Sequence, residues 1–94
     1  MSKELCISII IPFYNAKKYI NNCIKNLQNQ KFKKSFEVIM INDGSTDQGV
    51  EMVKKFNDKK IRLFNLRRNS GPSTARNLGI KKSKGKYIFF FDVD

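Results

Sequence analysis

The sequence predicts an α/β domain: a doubly wound, mainly parallel sheet with helices on both faces. Three observations predict it. Short β-branched and aromatic runs alternate with stretches whose apolar residues recur at helical spacing, in the order βαβαβαβ. The runs are apolar almost without interruption, the pattern of strands buried on both faces. Each strand is followed by turn-forming, capping or acidic residues, so polar chemistry collects where ligands of open α/β sheets bind. With right-handed crossovers the arrangement is a Rossmann-like half with strand order 3-2-1-4, strands 1 and 4 flanking the switch point.

The elements follow in order. Residues 5–11 form the first strand, ended by Pro12, which cannot donate to a central ladder. Phe13, Tyr14 and Asn15 form a short loop, with Asn15 a helix N-cap. From residue 16 to about 30, Ile20, Cys23, Ile24 and Leu27 mark one face of an amphipathic helix. A basic connection, residues 31–35, leads to a second buried strand over 36–41, and residues 42–47 are dense in turn and capping residues. A helix from about 48 to 57 rests on Val50, Val53 and Phe56, with Met52 alongside. Residues 61–66 alternate as a third strand. Pro72 suits the first turn of a helix over 73–82 that turns Ala75, Leu78 and Gly79 inward. Lys84 and Gly85 turn the chain into the last strand, the aromatic run from Tyr87 to Phe91, which ends in Asp92 and Asp94.

Composition narrows the function. Ninety-four residues make one domain, 1–94, burying only about 60–65% of its unfolded surface. At 40% hydrophobic and 12% aromatic, the chain folds rather than staying disordered. No apolar run is long enough for a membrane helix. Met1 to Glu4 leads directly into a strand without a signal core, which suggests the cytoplasm. Cys6 and Cys23 lack CxxC spacing and there is no histidine, which excludes a zinc site; both read as buried free thiols. The net charge of +11 favours polyanionic partners. The basic residues are spread along the chain rather than in one block, so most fall on solvated helix faces and loops. That disfavours nucleic-acid recognition.

In the predicted topology three polar clusters, residues 12–15, 42–47 and 92–94, converge on the crevice beside strand 1. The first turn holds no glycine, so neither GxGxxG nor a P-loop is present, and dehydrogenase and ATPase readings fall away. Any phosphate must be held by a metal and side chains. Residues 42–47 could be only a capped turn; functionally, Asp43 could accept the imide N–H of a uracil ring. Arg76 could be simply exposed on its helix, or reach a base carbonyl or phosphate. Asp92 and Asp94 are hard oxygen donors that repel each other unless a cation offsets them, and Mg²⁺ or Mn²⁺ carrying a phosphorylated substrate suits them.

Residues 8–15, 38–47, 71–79 and 85–94 jointly resemble family 2 glycosyltransferases of the GT-A fold, with four motifs in the right order over nearly the whole chain. The resemblance implies an inverting enzyme using a nucleotide-sugar, usually a UDP-sugar, in cell-surface polysaccharide or glycoconjugate synthesis. It implies that Pro12, Phe13 and Tyr14 line the nucleotide pocket, with Tyr14 against the base. It places Asp43 at uracil, Arg76 near the base or diphosphate and Asp92 at the ribose. Asp94 would coordinate Mn²⁺ or Mg²⁺, and the metal would stabilise charge on departing UDP. The acceptor would be a saccharide or a lipid-linked glycan.

Two positions depart from the family pattern. Asn42 stands where an acid is frequent, and no further acid follows Asp94. The catalytic base, a carboxylate that deprotonates the acceptor hydroxyl, is expected C-terminal to Asp94. On this reading the chain is the donor-binding half of an enzyme. It binds a UDP-sugar weakly without transferring it, and Phe89, Phe90 and Phe91 lie on an open sheet edge that invites self-association. The competing reading is a basic α/β module for nucleic acid or an anionic membrane. Within the enzyme reading, Lys33, Lys34, Lys59 and Lys60 are candidates for peripheral contact with the inner membrane face.

Overall fold

The structure, a computed structural model, describes residues 5–94; the reading of residues 1–4 as a direct lead into the first strand lies outside them. The elements are β1 (Ile7–Phe13), α1 (Lys17–Asn29), β2 (Phe36–Asp43), α2 (Gly49–Phe56), β3 (Ile61–Leu66), α3 (Pro72–Lys82) and β4 (Tyr87–Phe90). All strand pairs are parallel and the sheet order is β3-β2-β1-β4, as the alternation of elements predicts.

Period-two alternation sorts the central strands between two faces. Ile9, Ile11, Val38 and Met40 pack with Ile20, Ile24 and Leu27 of α1 and Val53 of α2. On the other face Ile10, Ile39 and Ile41 meet Ala75 of α3, with Leu78 beside it. The helical positions predicted to turn inward therefore do so.

Pro12 does not end β1. It pairs with Ile41 inside the β1–β2 ladder, and the strand runs on to Phe13. The exception has a local cause. The carbonyl of Ile10 faces β4 and accepts from the Phe91 amide at 3.0 Å. By alternation, the nitrogen of Pro12 faces the same side, one step beyond the last β1–β4 pair, Ile10 with Phe90. No ladder bond is lost there.

The second correction concerns β4. Its apolar run predicts burial on both faces, yet Tyr87 is 55%, Phe89 49% and Phe90 47% exposed. The strand has one neighbour, β1, and neither α1 nor α3 covers it. Composition reports what a strand can bury; position in the sheet decides what it does bury.

At the amino edge of the sheet a buried polar group sets where β4 begins. The Ser8 hydroxyl donates to Glu37 at 2.6 Å, and the backbone amides of Lys84 and Gly85 donate to Glu37 (2.7 Å) and to Ser8 Oγ (2.8 Å). Arg62 donates to Glu37 at 2.9 Å and to the Lys82 carbonyl at 2.8 Å. Burial alone would raise the Glu37 carboxyl; the hydrogen bonds from Ser8, the Lys84 amide and Arg62, with the Arg62 charge, outweigh it and hold it below its ordinary value. Only glycine fits at position 85, because a Cβ there would lie 2.6 Å from both Ser8 N and Ser8 Oγ.

Candidate functional site

The carboxyl ends of β1, β2 and β3 open into three loops that are stitched to one another by side chains. Asn15, in the left-handed region at φ 47°, accepts from the Thr46 amide at 2.8 Å, while its own amide donates to Ser45 Oγ at 3.0 Å. Asn15 is therefore not the N-cap expected of it. The residue before α1 is Ala16, without a side-chain cap. The cap arrives from the next loop: Asp47 Oδ2 accepts from the Lys17 amide at 3.2 Å, and Asp47 Oδ1 from the Gly49 amide at 2.9 Å. One carboxylate thus serves the first turns of α1 and α2, where unsatisfied amides and the helix dipoles favour negative charge.

Asp43 lies at the end of β2 and is buried. Its two oxygens accept from the Ser70 amide (2.8 Å) and the Gly71 amide (3.0 Å), and Asn69 adds a longer bond at 3.4 Å. The carboxylate that the sequence suggests for base recognition therefore also holds the loop leading into α3. Each carboxylate oxygen has two acceptor sites, so capacity remains for a ligand donor. Asn42, beside it, donates to Asn65 Oδ1 at 2.9 Å and accepts from the Ser45 amide at 2.8 Å. Gly44, at φ +75°, lets this turn lie against the third loop; a Cβ there would stand 2.4 Å from Arg68 C and Asn69 N.

The other predicted site residues divide. Tyr14 is 48% exposed at the rim, free to pack against a planar ligand, and Pro12 is half-buried beside it. Phe13 is 3% exposed and belongs to the core under α1, so its side chain is not presented to the crevice. Arg76 is exposed near the start of α3, without a hydrogen bond or ion pair among the described residues.

Asp92 and Asp94 are exposed, and neither is hydrogen-bonded or ion-paired among the described residues. They line a cavity of about 400 Å³ with Tyr19, Asn22, Cys23 and Asn26 of α1. The structure thus brings residues 12–15 and 42–47 together, adds the loop over 67–71, and lays residues 92–94 against α1. Cys23, in the same cavity, is half-buried and free, as is Cys6, and burial pushes the Cys23 thiol up.

Among the described residues no three acidic, cysteine or histidine side chains are grouped to hold a metal. Two unengaged carboxylates still fit Mg²⁺ or Mn²⁺, which bind through one or two carboxylates and complete their shells with substrate phosphate and water. Sequence reasoning missed Asn65, Asn69 and Ser70, and the double cap by Asp47. The one available signal was a Ser-Gly-Pro run at residues 70–72 before a helix; which carboxylate would hold it is a tertiary fact.

Comparison with known proteins identifies the family and the fold. The sequence profile of the family described as Glycosyl transferase family 2 matches residues 8–94. An uncharacterized glycosyltransferase of Haemophilus influenzae is 44% identical over 90 residues, covering 94% of this chain and 36% of the relative. The poly(ribitol-phosphate) beta-N-acetylglucosaminyltransferase TarS of Staphylococcus aureus is 39% identical over 90 residues, 93% of this chain and 16% of the relative. The crystal structure of S. aureus TarS 1–349 in complex with UDP-GlcNAc superposes with a TM-score of 0.90 at 38% identity, over 96% of this chain and 27% of that one. The chain thus spans well under half the length of these relatives.

Proposed function

The chain belongs to glycosyl transferase family 2 and has the fold of a GT-A domain, and from that premise we propose that it is the nucleotide-sugar-binding part of an inverting glycosyltransferase. The observation that carries this reading is its likeness, over nearly its whole length, to a transferase holding UDP-GlcNAc. The donor is a UDP-sugar, and the acceptor is a saccharide or lipid-linked glycan of cell-surface synthesis; the name of TarS, a poly(ribitol-phosphate) transferase, supports a polymeric acceptor.

In this reading the base packs on the exposed ring of Tyr14, with Pro12 shaping the turn and Phe13 anchoring it from the core. Asp43 accepts the uracil imide N–H through an acceptor site that the Ser70 and Gly71 amides leave open. Arg76 supplies positive charge to the diphosphate, and Asp92 accepts from the ribose hydroxyls. Asp94 holds Mn²⁺ or Mg²⁺, which when bound offsets the negative charge of the leaving UDP. Asp43 and Asp47 are occupied by backbone amides and Glu37 and Asp58 stand at the opposite edge, so none of these four is assigned as base. As the family resemblance implies, we place the base C-terminal to Asp94.

Calorimetric titration of UDP with and without Mn²⁺ tests the reading. Mn²⁺-dependent binding is expected, weakened at least tenfold, about 1.4 kcal/mol, by Asp94→Ala. Metal-independent binding that Asp94→Ala leaves intact overturns the metal assignment. These 94 residues alone, given UDP-sugar, Mn²⁺ and mixed acceptors, are expected to release no UDP above background; clear turnover overturns the placement of the base.

A further inference from the structure

The basic residues look scattered in the sequence, but the fold gathers them. Because every strand is parallel, each helix returns the chain to the same amino edge of the sheet. The connection before β2 carries Lys31, Lys33 and Lys34 to that edge. Lys54 and Lys55 in the last turn of α2 arrive there with Lys59 and Lys60 before β3. Lys81 and Lys82 end α3, and Lys84 and Lys86 lead into β4. All eleven are exposed.

The two acids at this edge among the described residues are too few to offset them. Glu37 is buried and taken up by Ser8, Arg62 and the Lys84 amide. Asp58 is hydrogen-bonded to Gln28 and the Lys60 amide. The carboxyl edge is different: Lys17, Lys18, Arg67, Arg68 and Arg76 are matched in number by Asp43, Asp47, Glu51, Asp92 and Asp94. A mere compositional excess of lysine would load both edges. Nearly all of the net charge of +11 instead stands opposite the nucleotide crevice.

We propose that the amino edge is a docking face for an anionic membrane surface. The cations are lysines, compact point charges suited to a diffuse array of headgroups, rather than forks suited to reading single phosphates. The one arginine there, Arg62, is tied to Glu37 and the Lys82 carbonyl. Two of the rings at this edge are engaged: Phe32 lies on Phe36 at 4.7 Å, with Lys60 over the other ring at 4.3 Å. Exposed Tyr87 at the foot of β4, with Lys86 beside it at 5.8 Å, suits the headgroup level of a bilayer. The lysines also come from connections on both faces of the sheet, spreading across its end rather than along one groove. Docked this way, the sheet stands on the membrane and lifts the crevice about 25 Å into the aqueous phase. The inference rests on charge placement and is independent of the donor reading.

The test uses the intact protein and sedimentation with vesicles of phosphatidylcholine, alone or mixed with phosphatidylglycerol. Binding is expected only to the mixed vesicles, and to fade as salt rises from about 0.1 M towards 1 M. Combined Lys33→Gln, Lys34→Gln, Lys59→Gln and Lys84→Gln substitutions should weaken binding about tenfold or more, since each removes an exposed charge. Lys17→Gln, Lys18→Gln and Arg67→Gln at the other edge should change it less than about twofold. Unchanged circular dichroism confirms folding of both variants. No preference for anionic vesicles, or equal loss in both variants, overturns the proposal. Tighter binding of duplex DNA through the same lysines also overturns it, in favour of a nucleic-acid face.

Discussion

Ser8 and Glu37 meet side chain to side chain at 2.6 Å under the sheet, and the turn from α3 into β4 hangs on that pair through the amides of Gly85 and Lys84. β4 pairs with β1 over only four residues and leaves its side chains exposed, so hydrophobic patterning holds its register weakly. The buried pair supplies the missing constraint. A slip of one residue would move Asp92 and Asp94 by about 3.3 Å and turn the strand over. Glu37→Ala is therefore expected to cost about 3 kcal/mol, because it removes the acceptor of the Ser8 hydroxyl, the Lys84 amide and Arg62. Hydrogen exchange should show the Tyr87–Phe90 amides losing protection before those of β1 and β2.

Glu37 also sets an acid limit. Its folded pKa lies below its unfolded one, so its contribution is complete above the ordinary carboxylate range, near pH 4.3, and is lost as pH falls through the folded value. Asp58, lowered by the Gln28 side chain and the Lys60 amide, has the same sign. Urea midpoints should fall as pH drops below about 4.3, and Glu37→Gln should flatten that dependence.

Asp47 caps two helices at once, so its loss costs more than one cap. Asp47→Ala is expected to destabilise by about 2 kcal/mol, and Asp47→Asn by less, since one oxygen remains to accept. Urea denaturation of the two variants measures the difference.

Gly44 controls the crevice rather than the core. An alanine there would be strained at φ +75° and would press on the backbone of Arg68 and Asn69, which cannot yield without moving the loop that Asp43 holds. Gly44→Ala should cost about 1–3 kcal/mol of stability. It should also weaken UDP binding by about tenfold or more, as read by titration.

The edge of β4 exposes Phe89, Phe90 and Phe91 together with its unpaired backbone. These 94 residues alone are expected to self-associate as concentration rises, and Phe90→Lys should suppress it. Sedimentation velocity reads the outcome; a monodisperse monomer at high concentration that binds no apolar dye contradicts it.

By itself the sequence determined the order of elements, the parallel topology and the polar clusters after the strands. These follow from local periodicity and from the handedness of crossovers, both of which neighbouring residues carry. It also contained the motif residues Tyr14, Asp43, Arg76, Asp92 and Asp94. The tertiary structure decided what each polar side chain does. Asp47 reaches back 30 residues to Lys17, and Asp43 forward 27 residues to Ser70. No spacing rule encodes such pairings, because loops meet only after the sheet has brought their ends together. Two strand assignments turned on the same fact. Pro12 sits inside β1 because its nitrogen faces the side where β4 has stopped, and the aromatic β4 is exposed because β1 is its one neighbour. Charge followed suit: lysines spaced along the chain became one face, since parallel strands return every connection to the same edge.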